Sequence, residues 1–268
     1  RIIDLLRACA KTKRFSKILP YGYVSKLDGE EEKQFCGITF VLPSKRKQAC
    51  IIFRGTDVTL IGWKEDFNMM FTHPVPCQEE ALVYLEKATS AMKFYDLYLA
   101  GHSKGGNAAI YASGLCSSKA LNRLKYIYTF DSPGFDKDLV DTSVFSKLSN
   151  KISSFVPKDS VIGMLMEVPT AYTVVDSDAF GFSQHDIFSW FLKGISFQRK
   201  DTLSSFSIGV KKTMTKWLEL LDLSQRRDFV NSLFKILEEC KIYEIRDFEK
   251  ISFSTVVTAI KSFSDLDS

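Results

Sequence analysis

The chain has 268 residues, is 45% hydrophobic, and carries 36 basic against 32 acidic side chains for a net charge of +4. A composition this apolar supports a sizeable core and excludes a largely disordered protein, and a balance this even excludes a nucleic-acid footprint, since no basic run exceeds Lys45-Arg46-Lys47. The six cysteines show neither a C-x-x-C pair nor a regular spacing, so no zinc site and no disulfide framework is expected, and a reducing, cytoplasmic setting is.

Residues 1–13 read as a short helix. Gln34–Leu42 and Gln48–Arg54 are β-rich runs separated by Pro43-Ser44-Lys45-Arg46-Lys47, which predicts an antiparallel hairpin. The period then changes: residues 78–92 are helical in pattern, 95–100 a strand, 104–116 a helix, 125–130 a strand, 136–148 a helix, and 152–156 and 172–175 strands. Strands alternating with helices imply βαβ crossovers and a mostly parallel sheet covered on both faces. Beyond Lys193 the β signal ends. Three amphipathic helices are expected there, on Val210, Met214, Trp217, Leu218 and Leu221, on Val230, Leu233, Phe234 and Leu237, and on Phe248, Ile251, Val256, Ile260 and Phe263. No run approaches the ~18 to 20 apolar residues of a membrane span. The chain opens at Arg1, which leaves a removed leader open.

The most informative stretch is Tyr95-Asp96-Leu97-Tyr98-Leu99-Ala100 followed by Gly101-His102-Ser103-Lys104-Gly105-Gly106, a strand entering a G-x-S-x-G turn and then a small-residue helix. Such an elbow presents its serine in a strained conformation, and it needs glycine two residues to either side, where a Cβ would meet the crossing chain. Ser103 is therefore the expected nucleophile. A serine hydroxyl needs a base, and three histidines are present. His102 lies inside the elbow and reads as a packing or hydrogen-bonding residue facing away from Ser103; His73 reads as a surface or pocket-rim residue; His185, after the last strand, is the expected base. The acid should sit at a strand tip between Ser103 and His185, where Asp159 and Asp131 both qualify. Asp159 is preferred and Asp131 kept as the alternative, ahead of Asp178 and Asp186. Oxyanion donors are expected from the backbone N–H of Lys104 and from Thr56, through backbone and hydroxyl, in the loop after Ile51-Ile52-Phe53.

Phe53-Arg54-Gly55-Thr56, Gly62-Trp63-Lys64-Glu65-Asp66-Phe67, the elbow, Thr129-Phe130-Asp131-Ser132-Pro133-Gly134-Phe135, Gly163-Met164-Leu165 and Gln184-His185-Asp186 resemble the class 3 lipases. More closely, they resemble an uncharacterised bacterial lipase-like branch of that α/β-hydrolase group. The resemblance covers about residues 14–192. It implies an α/β-hydrolase fold and a serine ester hydrolase with Ser103, His185 and Asp159 as triad, Thr56 and Lys104 as oxyanion donors, and residues 57–67 in the place of the lipase lid. Three departures stand out. Lys104 is charged where these lipases usually carry leucine, Asp131 stands where they have glycine, and the short interval from Asp159 to His185 leaves less wall for a long acyl chain.

The organisation expected is a catalytic domain over residues 1–192 with a helical region, 193–268, packed on it. Trp63, Met69 and Met70, beside Leu60, Ile61 and Phe71, offer apolar area for an acyl group, although the same residues would equally be core on a half-buried helix. The expectation is cleavage of an ester or thioester of modest chain length, with no cofactor, no metal and no nucleic-acid partner, and with transient contact to a lipid surface. A serine peptidase or acyltransferase on the same fold, and a non-catalytic binding module that keeps the hydrolase shell, remain the alternatives.

Overall fold

A computed structural model of the chain describes residues 1–244 and residue 247. An eight-stranded sheet runs through it, built from β1 (Leu19–Asp28), β2 (Lys33–Leu42), β3 (Gln48–Phe53), β4 (Asp96–His102), β5 (Leu124–Phe130), β6 (Ile152–Pro157), β7 (Tyr172–Val175) and β10 (Arg199–Lys200), adjacent in that order. The strands from β3 to β7 pair in parallel, while β1, β2 and β10 run antiparallel to their neighbours. The remaining strands, β8 (Leu192–Lys193) and β9 (Ser196–Phe197), form a small hairpin of their own. The helices are α1 (Ile2–Ala10), α2 (Leu60–Asn68), α3 (Pro76–Ala91), α4 (Lys104–Leu115), α5 (Ser118–Arg123), α6 (Ser205–Leu220) and α7 (Leu223–Glu239). This mostly parallel sheet flanked by helices, with a strand–serine–helix elbow at its middle, is an α/β-hydrolase fold.

The core lies where β3, β4 and β5 meet α3 and α4. Ala49, Ile51, Leu97, Leu99 and Ile127 are fully buried, and each large aliphatic among them contributes roughly 1.5–3 kcal/mol by leaving water. Helix α4 is buried along all but its last residue. Its small residues allow this: Ala108, Ala109 and Ala112 are buried in the main core cluster, and Gly114 faces the Phe145 ring, which a Cβ would approach to 2.5 Å.

Several elements differ from the sequence pattern. Strand β1, with mostly exposed side chains, gives no alternation to read. The helix expected over 136–148 is a 3-10 segment at Thr142–Leu148, because the Asp136 and Asp141 carboxylates accept from backbone N–H groups two residues on and favour turns there. From Leu192 onward the β8–β9 hairpin and β10 appear, and β10 adds to the edge of the main sheet; each strand is two residues long, too short for a periodic signal. Helices α6 and α7 correspond to the first two amphipathic stretches. The third, from Phe248 to Phe263, lies outside the described residues. Among the described residues no helix is long and apolar enough to cross a membrane.

Candidate active site

Ser103 stands between β4 and α4 with φ +56° and ψ −133°, a conformation that costs a non-glycine residue on the order of 1–3 kcal/mol and persists only where the surroundings enforce it. They do so here through direct backbone contact. A Cβ on Gly101 would lie 2.2 Å from the carbonyl of Gly105, and one on Gly105 would lie 2.2 Å from the Phe53 oxygen at the end of β3. The glycines therefore let β3, β4 and the start of α4 cross in contact, and the serine is held at the crossing. Its backbone N–H donates to the Phe130 oxygen at 3.0 Å, which ties the elbow to the end of β5.

His185 and Asp131 meet across 54 positions of sequence. His185 Nδ1 lies 2.7 Å from Asp131 Oδ2, with Asp131 1% exposed. A carboxylate only accepts, so the Nδ1 proton is on the histidine, and Nε2 is the nitrogen with a free lone pair. The other carboxylate oxygen, Oδ1, accepts from Ser160 Oγ at 2.5 Å and from the Gly163 N–H at 3.1 Å. Gly163 matters sterically as well, since a Cβ there would sit 2.6 Å from Asp131 Oδ1. Asp131 is itself at φ +43°, which turns it off the end of β5 toward the histidine.

The preferred acid, Asp159, is placed elsewhere. It is buried and pairs twice with the residue before the histidine: its N–H donates to Gln184 Oε1, and its Oδ2 accepts from Gln184 Nε2, both at 2.9 Å. Gln184 is fully buried, donates also to the Ala179 oxygen, and accepts from Trp190 Nε1 through its backbone carbonyl. Asp159 thus anchors the histidine-bearing turn, and the carboxylate that touches the imidazole belongs to Asp131. Both aspartates end neighbouring parallel strands, so only the tertiary pairing separates them.

His102 packs its ring 4.3 Å from that of His185 and lies 2.8 Å from the His185 carbonyl oxygen through Nε2. A carbonyl cannot donate, so His102 carries its proton on Nε2. Burial, reinforced by the neighbouring His185, lowers its pKa to about 4, which keeps it neutral near neutral pH. His73 is half-buried edge-on against Tyr111 and Phe135.

Thr56 and Lys104 line the same cavity as Ser103, and their side chains are already engaged. The Thr56 hydroxyl donates to Asp66 Oδ2 at 2.5 Å. The Lys104 side chain, read from sequence as a charged departure, is 2% exposed and reaches Glu65 Oε2 at 2.6 Å. Burial raises the Asp66 pKa to about 6, against the opposing pull of the Lys104 ammonium and the Thr56 hydrogen bond.

Ser103, His185, His102, Thr56, Lys104 and Asp66 line one cavity of about 360 Å³, walled further by Trp63, Phe67, Met69, Met70, Leu165, Met166 and Phe182. The same wall includes Met214 and Leu218 of α6, residues that the sequence offers only as a helical stripe. Helix α7 closes the back of α2: Val230 and Phe234 form a cluster with Phe71, against which Leu60, Trp63, Phe67 and Met70 pack. Segment 57–67, expected in the place of a lid, is thus held between the sheet and α7, with Glu65 fully buried. All six cysteines are unpaired.

Among solved structures the chain is similar to the Rhizomucor miehei lipase in its native propeptide complex, at 13% identity over 60% of this chain and 57% of that one, TM-score 0.40. It is also similar to a lipase from Rhizopus microsporus var. chinensis, at 14% identity over 73% of this chain and 70% of that one, TM-score 0.42. A thermophilic carboxylesterase cloned from a metagenomic library matches at 9% identity over 81% of this chain and 93% of that one, TM-score 0.36. The chain spans less than two thirds of the first of these. Comparison with curated protein sequences returns no match. The family model described as Mbeg1-like matches residues 9–235, from the end of α1 into α7 and beyond the stretch in which the lipase resemblance is read. The chain belongs to the Mbeg1-like family.

Proposed function

We propose that the protein is a serine hydrolase that cleaves carboxylic esters or thioesters through an acyl-enzyme, with Ser103 as nucleophile, His185 as general base and Asp131 as the orienting acid. The observation that carries this reading is the 2.7 Å contact of His185 Nδ1 with Asp131, together with a strained serine lining the same cavity as that histidine. In the reaction, Ser103 Oγ adds to the acyl carbonyl as its proton passes to His185 Nε2. Asp131 holds the tautomer in which Nε2 accepts, and it balances the imidazolium that forms. Collapse of the tetrahedral adduct expels the alcohol or thiol, which takes that proton from Nε2. Water then repeats the cycle on the acyl-enzyme and releases the acid, returning the hydrogen to Ser103.

The negative oxygen of the adduct is met by the backbone N–H of Lys104, an unpartnered donor of the first helical turn, and by the backbone N–H of Thr56, whose hydroxyl is occupied by Asp66. A largely apolar wall that includes four methionines suits an uncharged acyl group and adapts to its shape. The test is labelling with a fluorophosphonate probe, followed by hydrolysis of p-nitrophenyl esters from acetate to palmitate. Labelling of the wild type that is lost in Ser103→Ala supports the reading; a folded wild type that does not label sinks it in favour of a non-catalytic module.

A further inference from the structure

The two oxyanion donors of the proposed site lie on separate pieces of chain, Lys104 at the start of α4 and Thr56 in the loop between β3 and α2. Backbone contact where β3 meets the start of α4 brings the two pieces together. A side-chain link joins them as well. From a Cα next to Ser103, the Lys104 ammonium contacts Glu65 Oε2 at 2.6 Å, the Gly62 carbonyl at 3.4 Å and Asp66 Oδ1 at 3.7 Å. Glu65 is a fixed post: its Oε2 also accepts from the Gln34 N–H of β2 at 2.9 Å, and its Oε1 accepts from the Cys77 N–H of α3 at 2.7 Å. Asp66, the next residue, accepts from the Thr56 hydroxyl. The link therefore runs from Lys104 to Glu65 and Asp66 and from there to Thr56.

We infer that the Lys104 side chain is a positioning residue, which through Glu65 and Asp66 sets the separation between its own backbone N–H and Thr56 at the oxyanion site. The inference rests on the serine-hydrolase reading. A buried ion pair is a poor device for stability alone, because a well-packed apolar pair of similar volume is often as stable. It is a good device for fixing distance, because the ammonium donates to Glu65 Oε2 and to the Gly62 carbonyl and lies 3.7 Å from Asp66 Oδ1, all three on α2. Two adjacent carboxylates, Glu65 and Asp66, share this one cation. Without it the charged form of Asp66 would lose its nearest cation and keep the Thr56 hydroxyl as its donor; Asp66 would then take up a proton at higher pH.

The experiment compares the wild type with Lys104→Met/Glu65→Leu, which replaces the buried pair by an apolar one, and with Lys104→Arg, which keeps the charge but not the compact head. Fluorophosphonate labelling rate, kcat and KM on p-nitrophenyl butyrate, the pH–rate profile and Tm are measured for each. Expected for the double variant are a lowered Tm, because the Gln34 and Cys77 N–H groups lose their acceptor, with the fold retained, kcat lower by about a hundredfold with KM within threefold, and an acid limb displaced upward. Lys104→Arg should recover part of the loss. A folded double variant with wild-type kcat and an unmoved pH profile overturns the inference while leaving the hydrolase reading intact. If the double variant does not fold, Lys104→Arg decides: about a tenfold loss of kcat at constant KM supports the inference, and wild-type kcat overturns it. A wild type that neither labels nor turns over removes the underlying reading and the inference with it.

Discussion

Substituting asparagine at positions 131 and 159 separates the two candidate acids, and the structure sets the size of each effect. Asp131 Oδ1 faces two donors, Ser160 Oγ and the Gly163 N–H. In Asp131→Asn the amide carbonyl must stay on that side, because an NH₂ there would face two N–H or O–H groups. The NH₂ is then directed at His185 Nδ1, 2.7 Å away in the wild type, and the imidazole can accept it only by moving its proton to Nε2. That tautomer has no lone pair for Ser103. Loss of the correct tautomer at an intact triad costs on the order of ten-thousandfold in kcat, about 5 kcal/mol of transition-state stabilisation. Asp159→Asn keeps an oxygen for the Gln184 amide and leaves the backbone bond from residue 159 to Gln184 in place; its loss should stay within about tenfold, arising through a looser histidine turn. The assay is kcat and KM for p-nitrophenyl butyrate, with circular dichroism and Tm confirming that both variants fold. Near-normal turnover by Asp131→Asn beside a ten-thousandfold loss in Asp159→Asn would refute the assignment.

Three further outcomes follow from other contacts. His102 has its folded pKa lowered to about 4, against the 6.5 of an ordinary imidazole. Between those values the unfolded chain binds the proton and the folded one does not, so this residue withdraws up to about 3 kcal/mol of stability as pH falls through that window. Urea unfolding at pH 4.5 and pH 7.5 should show a smaller difference for His102→Gln, which retains a donor for the His185 carbonyl, than for the wild type; equal differences would refute this. Met214→Trp fills the α6 side of the cavity and should raise KM for octanoate and longer esters at least tenfold while leaving acetate hydrolysis within twofold, and a uniform change across chain lengths would argue against Met214 as part of the acyl wall. Arg226 is 3% exposed, pairs with buried Asp136 at 2.8 Å, and donates to the carbonyls of Met70, Leu218 and Leu221. Arg226→Ala leaves that carboxylate and those oxygens without a donor and should cost about 3–5 kcal/mol in urea unfolding, whereas a loss below 1 kcal/mol would show that α6 and α7 are held by other contacts.

What the sequence reveals and what it hides divides by range. The elbow is legible because its requirement is local: Gly101 and Gly105 must be glycine for steric reasons that operate within a few residues and one crossing strand. The buried strands β3, β4 and β5 are legible for a similar reason, as short apolar runs bounded by turn residues. The choice between Asp131 and Asp159 is not. Both follow strands, and the decision depends on a positive φ at 131 and on Gln184 capturing 159, neither of which has a one-dimensional signature. Lys104 reads as an anomaly in sequence because its partner, Glu65, lies 39 positions upstream; the motif Gly62-Trp63-Lys64-Glu65-Asp66-Phe67 contains that partner, but only the fold turns its Glu65 toward the elbow. The contribution of α6 to the cavity is hidden in the same way, since Met214 and Leu218 belong to an ordinary helical stripe.

The anchoring of α2 bears on how the protein would meet its substrate. A flap that swings aside when it touches an oil droplet must be loosely attached and must keep its greasy side against the site until then. Here the corresponding helix is bolted at Glu65 on one side and packed under Val230 and Phe234 on the other. Moving such a part would break the contacts of Glu65 with Lys104, Gln34 and Cys77 and uncover the cluster around Phe71. Rates on a sparingly soluble ester should therefore rise along one smooth saturation curve, with no jump at the concentration where micelles first form.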